Sequence, residues 1–471
     1  MTADTQANDS PTAQAGSWSD LFGRGRRAAV TVIAGAVLLY AMNLYFTSAL
    51  MPSIVEDLGG TQYYAWVTTA FVMSAIIASL FVSRILQARG ATGAYLIGFV
   101  TFGVGAATVT VAPTMELLVA GRVVQGLGGG LLAGLGYTVL RAVVPERLWS
   151  RGVGLVSAMW GIGTLIGPAV GGLFAQFDAW RIAYGAIVAL SLLFAAITPI
   201  VFRAGRVAGA VTEPLPILSL IPLLLAIVAI SLSAVVSGPL TAGMVGIGLA
   251  LLVVFLLVER RASSKVLPSL TYRAGNSLKW VYLTAAVLCG AVMIETFVPL
   301  FSQELGNLTP AVAGLFGAVL SAAWAATQLA TVSVDNPTFQ RRSTRLGPAV
   351  VVVALVTYGV LQVPDAHLPH IVGWVVALTI AGVGVGMSWP LLQVMAIRSS
   401  ADPAEGGKAA AAITTTQLIA FSITSAYSGM LVALGGDSPA ASARYLAFGM
   451  AGLITLGIAT AIFATRTSRT A

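Results

Sequence analysis

Long apolar runs cross this chain 14 times, and the basic residues between them gather on every second connection. The runs fall at about 29–49, 64–83, 93–112, 117–140, 153–175, 180–202, 215–237, 240–258, 280–302, 310–333, 347–363, 371–397, 409–434 and 443–465. Each is roughly 17–27 residues, enough for a helix to cross about 30 Å of hydrocarbon with some tilt. Strands of a membrane barrel would be shorter and would alternate polar with apolar residues. With 57% hydrophobic and 9% charged residues among 471, no soluble core could hide this much apolar surface. The expected fold is an all-α membrane protein with 14 transmembrane helices.

Placing the N-terminus in the cytoplasm puts Arg24, Arg26 and Arg27 inside, and so too the cluster Arg260, Arg261, Lys265, Arg273 and Lys279. Of the 25 lysines and arginines, only Arg444 then lies in an outer connection, while Arg122 and Arg181 sit in or at the edge of runs. This asymmetry predicts a multi-pass protein of the cell membrane with both termini cytoplasmic and an even number of spans. The net charge of +8 follows from that topology, so no nucleic-acid partner is expected. Cys289 is alone in an apolar run, which excludes an intramolecular disulfide and a cysteine metal cluster. His367 and His370, in an outer loop, are a weak metal signal; neither metal nor cofactor is expected.

The chain divides into a polar tail at 1–28, expected to be disordered, and six-span blocks at 29–203 and 280–466. A linker at 204–279 carries a central pair of spans. The first apolar run is too long for a cleaved signal peptide and is counted as span one. GRVVQGLGGG (121–130) and IAGVGVGMSWP (380–390) fall in the fourth span of each block, a faint echo that predicts two pseudo-repeat bundles.

Of 17 acidic residues, Glu295 alone sits well inside a run, roughly 7 Å past the bilayer midplane if counted as helix from Trp280. An ionised carboxylate there is costly unless it meets water or an opposite charge, so Glu295 is the candidate proton-coupling residue. The competing reading is a neutral acid locking two helices. Arg122, about one and a half turns into the fourth span with Gln125 on the same face, cannot shed its charge and needs acceptors. It either serves substrate or coupling, or snorkels to anchor the helix end. At the mouth of the sixth span, Asp178 reads as a cap and Trp180–Arg181 as an anchor.

In the fifth span, Gly163, Gly167 and Gly171 form one stripe, joined by Gly172 and a helix-bending Pro168. The stripe suits either a rocking surface or plain tight packing. Asn43, Tyr45, Trp324, Trp389, Gln393 and Gln417 are candidate cavity residues, an aromatic and amide lining suited to large lipophilic or cationic molecules. No zinc spacing, phosphate loop or nucleophile–base set appears, so an enzyme is not expected.

These residues carry a resemblance over essentially the whole length to the major facilitator superfamily, and within it the fourteen-span drug–proton antiporter group. Gly163, Gly167, Pro168, Gly171 and Gly172 match the G-x-x-x-G-P-x-x-G-G signature of exporter fifth spans, and Arg122, Gln125 and Gly126 match R-x-x-q-G in the fourth. Trp180–Arg181 matches the WR opening the sixth span, the central pair matches the fourteen-span insertion, and Glu295 with Pro299 resembles an acid some members carry. The resemblance implies a multidrug exporter, a monomer driven by the proton gradient through alternating access. Two departures stand out. Gln87 replaces the Asp of the loop after span two, and Asn43 replaces the usual first-span acid. Export of a lipid, siderophore or other metabolite, with different or no proton coupling, is the alternative. A non-transporting scaffold on the same fold is the third.

Overall fold

The computed structural model describes residues 18–23, 26–145, 148–202, 215–236, 238–273, 275–331, 334, 336–400 and 403–466. Residues 1–17 of the expected tail lie outside these. Its remainder is not wholly irregular: α1 (Trp18–Leu21) is a short helix, and Leu21 is buried against the bundle. Next come α2 (Arg27–Leu58), α3 (Tyr64–Ser79), α4 (Val82–Thr110), α5 (Met115–Val143), α6 (Trp149–Gln176) and α7 (Trp180–Val201). The linker holds α8 (Ile217–Leu232) and α9 (Pro239–Arg261). Then follow α10 (Leu278–Ala291), α11 (Val298–Gly306), α12 (Pro310–Phe316), α13 (Val319–Thr331), α14 (Pro337–Val360), α15 (Leu368–Ile397), α16 (Pro403–Ala433) and α17 (Pro439–Arg466).

Every apolar run coincides with helix. Among the described residues, 12 helical stretches are long and apolar enough to cross a membrane. The other two runs are occupied by α3 and α8, each 16 residues and about 24 Å long at 1.5 Å per residue. Leucine, isoleucine and valine line the exposed faces, as a hydrocarbon solvent allows: Ile182, Leu192, Leu249 and Val353 are all more than half exposed.

Two runs are not continuous helices. The ninth is α10, a 3-10 segment at Val292–Thr296, then α11. The tenth breaks between α12 and α13 at Gly317 and Ala318. Pro168, by contrast, lies within an unbroken α6. The loop after span two folds back as the first turns of α4, and Gly90 (φ 67°) makes the corner where a side chain would strain. Asp178 is not a cap; it occupies a left-handed turn (φ 50°), and Ala179 takes the N-cap of α7.

In the first group of helices α2 packs on α6 and α7, α5 on α3 and α4, and α4 on α7. In the second, α10 packs on α16 and α17, α15 on α13 and α14, and α14 on α17. Between the groups, α3 meets α16 and α6 meets α12. The α8–α9 pair leans through α8 on α3 and α16.

Candidate functional site at the seam between helix groups

Glycines draw α3, α4 and α5 together until their backbones touch. A Cβ on Gly126 would lie 2.2 Å from the Phe71 carbonyl oxygen, and one on Gly105 2.2 Å from the Gln125 nitrogen. Arg122 is enclosed by this packing and is fully buried. Its Nη1 donates to Asn43 Oδ1 and to Gln125 Oε1, both at 2.6 Å, and its Nε donates to the Val67 carbonyl at 3.1 Å. The guanidinium carbon stands 4.1 Å from the Phe71 ring centroid. The head group therefore reaches inward to α2 and α3, not along α5 toward the helix end. No carboxylate of a described residue pairs with it. Arg122 Nη2, Asn43 Nδ2 and Gln125 Nε2 are buried with no partner among the described residues. On the next turn of α2, Thr47 donates to the Asn43 carbonyl and shares a hydrogen bond of 2.8 Å with Tyr184.

The two helix breaks of the second group meet each other. Helix α13 starts at Val319, so Ser321 is among the first-turn amides that lack an intrahelical acceptor. Glu295, in the 3-10 segment, supplies one: Ser321 N–H donates to Oε1 at 2.8 Å and Ser321 Oγ to Oε2 at 2.5 Å. The carboxyl group thus sits at the positive end of an internal helix. It is 2% exposed and lines a small cavity of about 10 Å³, room for about one water. The opposite wall is Leu44, Tyr45 and Ser48 of α2 and Thr68 of α3. Glu295 therefore lies on the contact between the two helix groups. Helix α2 serves both clusters, with Asn43 on Arg122 and Tyr45 two residues later beside Glu295.

The seam is closed at one end of the bundle. Thr69 Oγ1 donates to Ser425 Oγ at 3.0 Å, and Tyr64 OH donates to the Thr296 carbonyl at 3.2 Å while stacking on Phe297. A Cβ on Gly314 would lie 2.6 Å from the Pro168 carbonyl oxygen and 2.8 Å from Gly172 Cα. The glycine signature is thereby divided between two surfaces. Gly163, Gly167 and Gly171 face Ala41, Met42, Phe46 and Ala49 of α2 in their own group, whereas Gly172 faces Pro310, Ala311 and Gly314 of the other.

Other candidates scatter. Trp324 and Trp389 form an edge-to-face pair at 5.2 Å, one turn along α13 from Ser321, and Trp324 Nε1 is buried without a partner among the described residues. Gln393 is exposed and Gln417 half-buried; neither is brought to Glu295 or Arg122. Arg181 pairs with Asp57, to which Trp180 Nε1 also donates at 3.1 Å. His367 occupies the N-cap position of α15 without a side-chain capping hydrogen bond, and the His370 ring is 6.5 Å away. Ser321, Thr68 and Ser48 escaped the sequence reading; the only signal was a hydroxyl inside each apolar run.

The family model of the Major Facilitator Superfamily matches residues 33–425. The chain belongs to the Major Facilitator Superfamily. A relative described as a probable multidrug-efflux transporter, from Mycobacterium tuberculosis, is 41% identical over 444 residues, 92% of this chain and 94% of its own. A multidrug efflux pump of Staphylococcus aureus is 24% identical over 63% of this chain and 67% of its own. Among solved structures, a D-xylose–proton symporter aligns with a TM-score of 0.65 at 14% identity, covering 94% of this chain and 99% of its own. A bacterial homologue of the lysosomal transporter Spinster aligns with a TM-score of 0.65 at 12% identity, covering 94% and 97%. At such identities the likeness concerns the fold alone. As a member of the Major Facilitator Superfamily with relatives of the multidrug-efflux type, this chain is a multi-pass membrane transporter rather than an enzyme.

Proposed function

We propose that this transporter exports lipophilic or cationic small molecules by proton-coupled alternating access, with Glu295 as the proton-carrying group. The observation that carries the reading is the place of Glu295: an intramembrane carboxyl at the contact of the two helix groups, held by the start of an internal helix and facing a water-sized cavity. Its negative charge suits a cationic cargo, and the 41% identical relative described as a probable multidrug-efflux transporter supports drugs as the cargo class.

The two groups act as six-helix blocks in this proposal. The pairing of helices supports it: first with fifth, second with fourth, third with fourth and third with sixth recur in both groups, and second meets fifth across the seam in both directions. Fourteen spans with both termini cytoplasmic complete the topology, and the seam is then sealed on the outer side. Protonation of Glu295 from outside loosens its hold on Ser321 and favours release of cargo.

Active export of an ethidium-like dye from inside-out or whole-cell preparations tests the coupling. With Glu295→Gln, gradient-driven accumulation is expected to fall at least about tenfold while downhill exchange persists. Export by this variant at the wild-type rate, still abolished by an uncoupler, removes Glu295 from coupling.

Arg122 favours a second reading. Asn43 stands where an acid would neutralise it, and a buried cation with spare donors suits an anionic group on an endogenous lipid or metabolite. Metabolite and lipid profiling of a deletion strain separates the two; an unchanged profile beside drug hypersensitivity excludes the second.

A further inference from the structure

The densest charge outside the bundle interior follows α9, and it is built around a buried acid. Glu259, in the last turn of α9, has no exposed surface. It accepts the Leu267 amide at 3.0 Å and the Tyr272 hydroxyl at 3.2 Å, which folds residues 262–272 back over the helix end. Burial, and then the neighbouring Glu259 carboxylate, raises the Tyr272 hydroxyl above its ordinary pKa, so it stays a hydrogen-bond donor.

The fold-back leaves a cavity of about 400 Å³, open on one side and lined by Arg260, Lys265, Ser269, Leu270, Tyr272 and Arg273. That volume lies within the usual range for small-molecule sites. Three of the six lining residues are cations, and no carboxylate of a described residue forms an ion pair with any of them. Lys265 is already positioned: Nζ donates to the Arg260 carbonyl at 3.0 Å and lies 4.9 Å from the Tyr272 ring centroid. Glu259 lies beneath the loop and offsets one positive charge, which leaves an excess of about two. Two guanidiniums offer the forked donor geometry that matches phosphate oxygens, and the lysine adds a point charge.

Location narrows the ligand. Apart from the side packed on α8, helix α9 leaves its apolar side chains uncovered, with Leu240, Leu249, Val253 and Leu257 all more than half exposed, a surface suited to lipid. The cavity opens at its end, which is at headgroup depth if α9 crosses as in the fourteen-span topology proposed above, on which this inference rests. We propose that the fold-back after α9 is a binding site for a phosphate-bearing anion, occupied by the headgroup of an acidic phospholipid lying against α9. The site is independent of the cargo pathway, and it ties the linker pair to the membrane surface.

Full-length protein in nanodiscs tests this. Phosphatidylcholine discs are compared with discs of phosphatidylcholine and phosphatidylglycerol, and co-purifying lipid is counted by native mass spectrometry after mild delipidation. Wild type is expected to retain phosphatidylglycerol over phosphatidylcholine by at least about tenfold. Arg273→Gln should lower that preference about fivefold, and Arg260→Gln/Lys265→Gln/Arg273→Gln should bring it near parity. Lys265→Arg should preserve it. Arg261→Gln, an exposed cation on the same helical turn that does not line the cavity, should leave it unchanged. The single variant keeps the test readable should the triple variant assemble poorly. In phosphatidylcholine discs, inorganic phosphate that raises the unfolding temperature of wild type but not of Arg273→Gln would assign the site to free phosphate and uphold its chemistry. No lipid preference together with no phosphate response overturns the site. So does an Arg261→Gln loss equal to that of Arg273→Gln, which would mean diffuse surface charge.

Discussion

Arg122 poses the sharpest question at the scale of single residues. A guanidinium removed from water loses several kcal/mol, whereas each of its three hydrogen bonds returns about 1.5–3 kcal/mol. The balance is close to even, and the unpartnered Nη2 tips it toward strain. Converting Asn43 to the acid it stands in for supplies a counter-charge at a contact already 2.6 Å long. Asn43→Asp is therefore expected to stabilise the protein by roughly 1–3 kcal/mol, read as a higher thermal-unfolding midpoint in detergent. A lower midpoint would mean that a charge beyond Asn43 and Gln125 already compensates Arg122. The residues themselves were legible in the sequence because charged groups inside apolar runs are rare. Their partners were not. Val67 offers a backbone carbonyl, which no side-chain pattern reveals, and Ser321 lies 26 residues from Glu295 on another helix.

At the scale of helices, glycine does two different jobs that look alike in sequence. Gly126 sits inside one group, where an added Cβ would meet Ser74 Oγ at 2.0 Å and Phe71 backbone at 2.2 Å. Gly126→Ala must push α3 and α5 apart and is expected to cost roughly 1–3 kcal/mol, seen as lower yield and a lower unfolding midpoint. Gly314 sits on the seam, so its substitution opposes one arrangement of the groups without loosening either. Cysteines placed at Gln176 and Ala311, which touch in the closed seam, should cross-link readily with a short bifunctional thiol reagent. Adding Gly314→Ala should slow that cross-linking several-fold and leave the unfolding midpoint within about 0.5 kcal/mol. An unchanged rate would show that the α6–α12 contact tolerates a methyl group and sets no conformational bias. Hydropathy placed α2 to α17 because lipid solvation demands apolar side chains, but it passed over the short α1 in the polar tail. It missed the breaks in the ninth and tenth runs, since Val292–Thr296 and Gly317–Ala318 stay apolar enough to prolong the pattern. Those two breaks make the Glu295 site.

For the molecule as a whole, the linker pair decides the topology. Helix α9, at 23 residues, spans about 34 Å and needs no help to cross. Helix α8 is about 24 Å long, short of the hydrocarbon thickness by roughly one turn in all. It can still cross by thinning the bilayer locally, at a fraction of a kcal/mol per Å, and it does not face lipid alone: Trp66 of α3 donates to the Ser231 carbonyl at 3.0 Å near its end. The cations after α9 exclude a single crossing, for they follow the positive-inside pattern only if the two helices cross together or not at all. If both do, the turn before α9 emerges outside. Leu240, 61% exposed, is the reporter. In a Leu240→Cys variant, a membrane-impermeant thiol reagent added to intact cells should react fully, while a cysteine at Arg261 should react only after permeabilisation. Cys289, completely buried, contributes no background. Reaction of Leu240→Cys from the inside alone would mean that neither linker helix crosses, and the membrane would then hold twelve spans with the linker pair lying against its inner face.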